Sequence, residues 1–215
     1  MSEADQTPDP AAPSHADDDV LPDDFEPLTA TYERLRHSSD VEELSRFARE
    51  PLPDRSDQAA FSRATALLEA VAGNAHTPVE ERVFLAETMP FPNVLVKLSS
   101  DPEACVRKAV AGNKADKNWL VGLLTKDPDP QVRDTALLNP RTSWKMRLEG
   151  AQNPDADAAT LDALSRLGVE TEPDAPAVLA SMVRRAVAGN PNVSPETKAR
   201  LAQDPSGEVA RRAAA

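Results

Sequence analysis

The sequence has one cysteine, Cys105, only seven glycines among its 215 residues, and 4% aromatic residues. A single cysteine excludes an intramolecular disulfide, and it excludes a cysteine-rich zinc site or a cysteine-ligated iron–sulfur cluster within one chain. No apolar run reaches the roughly 18 residues of a membrane-spanning helix, and the N-terminus lacks the basic start and apolar stretch of a signal peptide. We therefore expect a cytoplasmic protein without a membrane segment, a metal or a cofactor.

Negative charge is present in excess, and it is concentrated in the first quarter of the chain. The formal net charge is −12, and residues 1–58 contain 16 acidic residues against five basic ones. An acidic chain disfavours a function in which affinity comes mainly from neutralising phosphate groups. Residues 59–215 are nearly neutral, so the acidity belongs to the N-terminal segment.

The first 28 residues are predicted to be a disordered, acidic, proline-rich tail. Residues 1–28 contain nine acidic residues and five prolines but no lysine or arginine, so they repel one another and have little apolar surface to bury. Val20, Leu21 and Phe25 are the apolar exceptions. They are candidates for a short docking motif, and a plain solvated tail is the alternative.

Beyond the tail the chain is helical and then periodic. Residues 29–73 have apolar residues at helical spacing and are predicted to form capping helices with a degenerate first repeat. Ala-Val-Ala-Gly-Asn then recurs, and Asp-Pro recurs five residues before a helical Val, which with weaker copies gives a unit of about 25 residues. The Ala-Val-Ala-Gly-Asn copies lie at 70–74, 109–113 and 186–190, and the Asp-Pro pairs at 101–102, 127–128 and 204–205.

Each unit is predicted to be a pair of short helices. Asp-Pro ends one helix and caps the next, and the terminal asparagine is expected to adopt the left-handed backbone conformation that ends a helix. Such a pair cannot bury its apolar face alone, so the copies must stack. We therefore expect an all-α solenoid over residues 74–215, interrupted by a loop at about 168–175, where the period breaks.

The repeat resembles a known family. The stretch from Val183 to Pro195, continuing through Leu201 to Pro205, is similar to the variant leucine-rich repeat of bacterial proteins, and the resemblance covers roughly residues 39–215. It implies a right-handed superhelix of α- and short 3₁₀-helices, related in shape to HEAT-like repeats and without strands. Some members hold an iron–sulfur centre on a cysteine cluster, and this chain, with Cys105 alone, does not support that feature.

Basic residues are the first candidate for a binding surface. If the copies stack in register, several basic residues fall at similar places in successive units and would form a stripe that binds a polyanion. The alternative is structural, because each arginine can pair with the acid of a neighbouring Asp-Pro corner. The residues concerned are Arg107, Lys108, Arg133, Arg184 and Arg185, followed in the last unit by Arg211 and Arg212.

The two tryptophans are the second candidate. Trp119 and Trp144 each begin the second helix of a unit, near one rim, and either serve as exposed binding anchors or are partly buried in the core. Lys145 and Arg147 beside them favour acidic or aromatic partners. Cys105 is expected to be a small buried residue.

These observations favour a non-catalytic protein–protein interaction scaffold or adaptor with a repeat surface. The sequence has no glycine-rich phosphate loop, no metal-ligand spacing and no nucleophile elbow, so we expect no enzymatic activity. Two alternatives stay open: a nucleic-acid-binding or DNA-repair-like helical repeat protein autoinhibited by its acidic tail, and an acidic inhibitor or immunity-type protein. The partner's identity and the oligomeric state are not predicted.

Overall fold

The computed structural model describes residues 26–114 and 118–215, so the predicted tail lies, up to residue 25, outside the described residues. The predicted all-α class is confirmed for the described part of the chain, which forms thirteen α-helices. No 3₁₀ helix occurs among these residues. The helices are α1 (Leu28–His37), α2 (Val41–Arg49), α3 (Gln58–Ala72), α4 (Val79–Thr88), α5 (Pro92–Leu98), α6 (Ala104–Gly112), α7 (Asn118–Leu124), α8 (Pro130–Leu138), α9 (Trp144–Gln152), α10 (Ala158–Leu164), α11 (Ala177–Ala188), α12 (Pro195–Leu201) and α13 (Gly207–Ala214).

Side-chain caps explain where several helices begin. The Asp40 carboxylate accepts hydrogen bonds from the first free N–H groups of α2, and Ser194 does the same for α12. Proline occupies the first position of α5, α8 and α12, where its missing N–H is not needed. The acids of the Asp-Pro pairs have a different role from the predicted cap. Asp127, for example, accepts from the N–H of Asp129, and Asp129 is the residue that caps α8.

The helix ends differ from the sequence expectation. Asn113 follows α6 with φ −63° and ψ 133°, and Asn139 and Asn153 have similar extended backbones. The predicted left-handed conformation is therefore wrong for these asparagines. The side chains of Asn113 and Asn139 are buried and contact another helix, as described below, and an extended backbone leads the chain away from the helix end.

Six helices form successive contacts along the chain, and we call them the row helices: α4, α6, α8, α9, α11 and α13. Each packs against the next one in this order. The helices α5, α7, α10 and α12 lie between them in sequence and pack against their row neighbours. At the N-terminal end, α1 and α2 pack against α3, and α2 also contacts α4.

The buried apolar side chains form two clusters rather than one. The first runs from Leu35 to Ala136 and the second from Ala151 to Ala213. Residues 165–176, which include the predicted loop, connect α10 to α11 without a helix, and Gly168 there has a φ of 73°. No described helix is long and apolar enough to cross a membrane.

Candidate functional site

Four arginines of the row helices bind an acid that lies just before the next row helix. Arg107 Nε and Nη2 donate to the two carboxylate oxygens of Asp127 at 2.8 and 3.0 Å, and Arg184 binds Asp204 in the same bidentate way at 2.7 and 3.0 Å. These side chains are largely buried, with 5% and 4% exposure for the Arg184–Asp204 pair. The other two pairs are Arg82–Asp101 and Arg147–Glu172.

A further guanidinium donor of each arginine binds a carbonyl of the segment that precedes the arginine's own helix. Arg107 Nη1 donates to the carbonyl of Asp101 at 2.8 Å, and Arg184 Nη1 donates to the carbonyl of Leu167 at 2.7 Å. Arg133 Nη1 donates in the same way to the backbone carbonyl of Asp127, but Arg133 forms no ion pair with another described residue. Arg107 and Arg184 thus pair with the acid of an Asp-Pro corner, which is the structural alternative, whereas Arg133 bonds only carbonyls.

The Arg107–Asp127 pair shows the electrostatic consequence of this arrangement. Burial raises the pKa of the Asp127 carboxyl, but the hydrogen bonds donated by Arg107 and by the Asp129 N–H outweigh burial and leave that pKa below its usual value. The hydrogen bond to Asp127 raises the pKa of Arg107 in turn. Both groups are therefore held in their charged forms.

Four of the asparagines that end repeat copies bond an earlier helix, at the end opposite to the arginine pairs. Asn139 Nδ2 donates to the carbonyls of Ala111 and Asn113, at the end of α6, at 2.7 and 2.9 Å, while its Oδ1 accepts from the N–H of Arg141. These contacts satisfy carbonyls that a helix end leaves without partners. The buried side-chain amides of Asn74, Asn113 and Asn190 donate in the same way to carbonyls of α1, α4 and α9, respectively.

Three predicted basic residues are on the surface. Lys108 Nζ donates to Gln131 Oε1 at 3.0 Å, and Arg185 forms an exposed ion pair with Glu208 at 2.9 Å. Lys145 is 80% exposed. Exposed pairs of this kind are weak, so these cations can exchange their partners for those of a bound molecule.

The two tryptophans have different environments. Trp119 is 58% exposed, and Leu123, one turn later on α7, is 61% exposed. Trp144 is half-buried, and the guanidinium carbon of Arg147 lies 4.8 Å from its ring centroid. Arg147 itself is 1% exposed. Of this predicted group, Trp119 is accessible as an anchor, whereas Arg147 is enclosed.

A groove of about 590 Å³ lies between α9, α11 and α13. Leu148, Met182 and Ala186 contribute apolar surface to it, and Arg185 and Arg212 contribute positive charge. The sequence reasoning missed Met182 and Leu148. The sequence signal that could have indicated this surface is the spacing of Val178 and Met182, which lie one helical turn apart and out of phase with Val183 and Val187. In the structure Val178 and Met182 are 71% and 39% exposed on α11, whereas Val183 and Val187 are buried.

A second groove, of about 690 Å³, lies between α1, α2, α3 and the linker at 50–53. Phe47, Leu52 and Ala64 line it together with Arg34 and Arg46. No single helix shows this feature in its sequence, because three helices and a linker create it. We call it the N-terminal groove.

Two acids interact where α8 meets α10. Burial and a hydrogen bond shared with Asp157 raise the pKa of Asp134 to about 6. The pKa of Asp157, which caps α10, is lowered mainly by the N–H of Thr160. No group of three or more potential ligands for a metal ion occurs within residues 26–114 and 118–215.

Cys105 is exposed, so the prediction that it is buried is wrong. It precedes the buried Val106 on α6, and a step of one residue turns a helical side chain by about 100°, which carries it from the core to the surface.

Comparison with family models, with curated proteins and with solved structures found no match to this chain.

Proposed function

We propose that the chain is a right-handed α-solenoid of the variant leucine-rich repeat type and that it acts as a non-catalytic protein-binding scaffold. Its contact surface is the groove between α9, α11 and α13. The observation that carries the proposal is the combination of apolar side chains, above all Met182 and Leu148, with two arginines, Arg185 and Arg212, at one groove. Val178, which is exposed one turn before Met182 on α11, extends the apolar surface beyond the groove. An apolar centre with a charged rim is the usual anatomy of a protein-binding site.

The chemistry of the groove defines the kind of partner. Methionine adapts to irregular apolar side chains, and an arginine beside it favours a carboxylate. The expected ligand is a protein segment that carries apolar residues flanked by acids. The nearest competing carboxylate in the protein is that of Glu208, whose exposed bond to Arg185 is easily displaced.

The nucleic-acid alternative has less support from the same contacts. Arg107, Arg133 and Arg184, which would have formed most of the stripe, are bonded to acids or carbonyls of their own chain. Nucleic-acid affinity depends on the number of cations that can neutralise phosphates. The exposed cations that remain are separated by acids such as Glu208 and Glu149.

Site-specific photo-crosslinking in lysate from the native source tests the proposal. A photoreactive residue at Met182 should crosslink to one discrete protein, and the matched control at Ala199, exposed on α12 outside the groove, should not. The adduct should survive nuclease treatment and should be lost when Val178 is changed to Glu. Equal labelling at positions 182 and 199, or loss of the adduct after nuclease treatment, would contradict the proposal.

A further inference from the structure

The N-terminal groove lies where the described chain begins. Glu26 lines it, and the Glu26 carboxylate accepts from Arg34 Nη2 at 3.0 Å. The carbonyl of Glu26 accepts from Arg63 Nη2 at 2.8 Å, and the same nitrogen donates to Thr31 Oγ1. These bonds hold Glu26 at the mouth of the groove, so the residues just before it are attached at the edge of this surface.

The groove combines apolar surface with charged side chains, since Arg34, Arg46 and Arg63 line it together with Glu26 and Glu50. Phe47 and Leu52 are only partly buried, and Arg46 is exposed with its guanidinium carbon 5.5 Å from the Phe47 ring centroid. Arg46 forms no salt bridge with the part of the chain that the structure describes. An acidic ligand with a few apolar side chains suits such a surface, because the apolar groups contact Phe47 and Leu52 while a carboxylate pairs with Arg46.

The segment directly before Glu26 has this composition. Residues 17–25 contain five aspartates in two clusters, no lysine or arginine, and the apolar residues Val20, Leu21 and Phe25. We propose that residues 17–25 of the same chain dock in the N-terminal groove, with Phe25 and Leu21 on its apolar surface and an aspartate on Arg46. The proposal concerns a different surface from the α9–α11–α13 groove and does not depend on the proposed function.

The covalent attachment makes docking within the chain favourable even when the contact itself is weak. A segment attached beside its site has an effective concentration on the order of 1 mM. A segment with an intrinsic Kd of about 1 mM therefore occupies the groove about half of the time, whereas the same peptide added at micromolar concentration would hardly bind. Any external acidic ligand of the N-terminal groove must compete with this segment.

Paramagnetic relaxation in the full chain tests the proposal. Cys105, exposed and outside the groove, is changed to Ser, and a nitroxide is attached at Pro22→Cys, which preserves every acid and every apolar residue of the segment. We expect relaxation of the Phe47, Ala60 and Ala64 amides to be about threefold faster than in the same labelled chain carrying Val20→Ser, Leu21→Ser and Phe25→Ser. The triple variant is needed because the label is tethered near the groove in either case.

Charge variants provide the second comparison. Arg46→Glu should reduce the relaxation effect about twofold, whereas Arg36→Glu, an identical charge change on the exposed side of α1, should leave it unchanged. Equal effects of the two changes, or equal relaxation with and without the three apolar residues, would overturn the proposal. Relaxation that appears when isotope-labelled, spin-free chains are mixed with unlabelled, nitroxide-bearing chains would overturn it too, since the occupant would then come from a second copy.

Discussion

We call the contact between two successive row helices a joint. The α6–α8 joint differs from the α8–α9 joint in the polar bonds that connect its two helices. At the first, Arg107 binds Asp127 at one end of the helices and Asn139 binds α6 carbonyls at the other. At the second, Arg133 reaches only carbonyls of its own turn, and the Asn153 side chain bonds only the N–H of Asp155 within the described residues. The two apolar clusters are divided at this same joint.

The difference has its origin in the turn before each row helix. Asp-Pro precedes α6, α8 and α13 and supplies the buried carboxylate, whereas residues 139–143, before α9, contain no acid. The α8–α9 joint depends on other contacts: the packing of Leu137 on Gly150, one buried hydrogen bond from Arg147 to the carbonyl of Asn139, and the bond between Asp134 and Asp157 across to α10. We expect local opening of the protein to begin at this joint, where fewer buried polar bonds connect the two sides.

Removing the arginine from each joint should produce the largest difference. Arg107→Met leaves Asp127, whose side chain is 5% exposed, without its partner, and should lower the free energy of unfolding by about 3 kcal/mol. Arg133→Met removes only contacts to carbonyls and should cost about 1 kcal/mol. Urea unfolding followed by circular dichroism measures both values. Equal losses would show that the two joints are equivalent.

The asparagines should show the same order with a smaller effect. Asn139→Ala leaves two carbonyls at the end of α6 without a donor and should cost about 2 kcal/mol, because unsatisfied buried polar groups are expensive. Asn153→Ala removes one local bond and should cost about 0.5 kcal/mol. Hydrogen exchange of the α6 amides should accelerate in the first variant only. Faster exchange in both variants would argue against the inter-helix role of Asn139.

The packing of the α8–α9 joint can be tested with a single methyl group. A Cβ at Gly150 would lie 2.4 Å from Leu137 Cδ2, so Gly150→Ala should cost about 1 to 2 kcal/mol despite the better helix propensity of alanine. Gly122→Ala on α7, where the nearest atom is Met146 Cγ at 3.9 Å, is the matched control and should be neutral or stabilising. Adding Leu137→Val should recover part of the loss. If the double variant is no more stable than Gly150→Ala alone, the destabilisation does not come from the contact with Leu137.

Sequence reasoning predicted what local chemistry determines and missed what folding brings together. The all-α class followed from local signals, namely the helical spacing of apolar residues over 29–73 and the short helix pairs indicated by the recurring Asp-Pro and Ala-Val-Ala-Gly-Asn. The backbone of Asn139 could not be predicted, because the Asn139 amide bonds carbonyls 26 and 28 residues earlier in the chain. Arg82, which pairs with Asp101, was not among the predicted residues.

The same distinction between local signals and long-range contacts applies to the predicted binding residues. The local pattern predicted basic residues at equivalent positions, but it could not tell the buried Arg184 from its exposed neighbour Arg185. These adjacent side chains differ because one points to Asp204 and the other to Glu208. The N-terminal groove had no sequence signal, because residues from α1, α2 and α3 form it jointly.

The acid pair beside the α8–α9 joint should give the smallest effect, and a pH-dependent one. The pKa of Asp134 is raised to about 6 in the folded state from its ordinary value of 3.8, so its stabilising contribution is complete below 3.8 and is lost as the pH rises through 6. Asp157 has a lowered pKa and loses its contribution only at lower pH, so it does not change between pH 5 and 7.5.

Asp134→Asn supplies an amide donor to Asp157 at every pH and should raise the free energy of unfolding at pH 7.5 by about 1 kcal/mol while changing it little at pH 5. The comparison of variant and parent cancels the titration of other groups. Asp155→Asn, which removes an exposed charge near the pair but keeps the Asp134–Asp157 bond, is the control and should retain the parent's pH dependence. If both variants stabilise the protein equally at pH 7.5, general charge repulsion, rather than the bond shared by Asp134 and Asp157, makes this joint sensitive to pH.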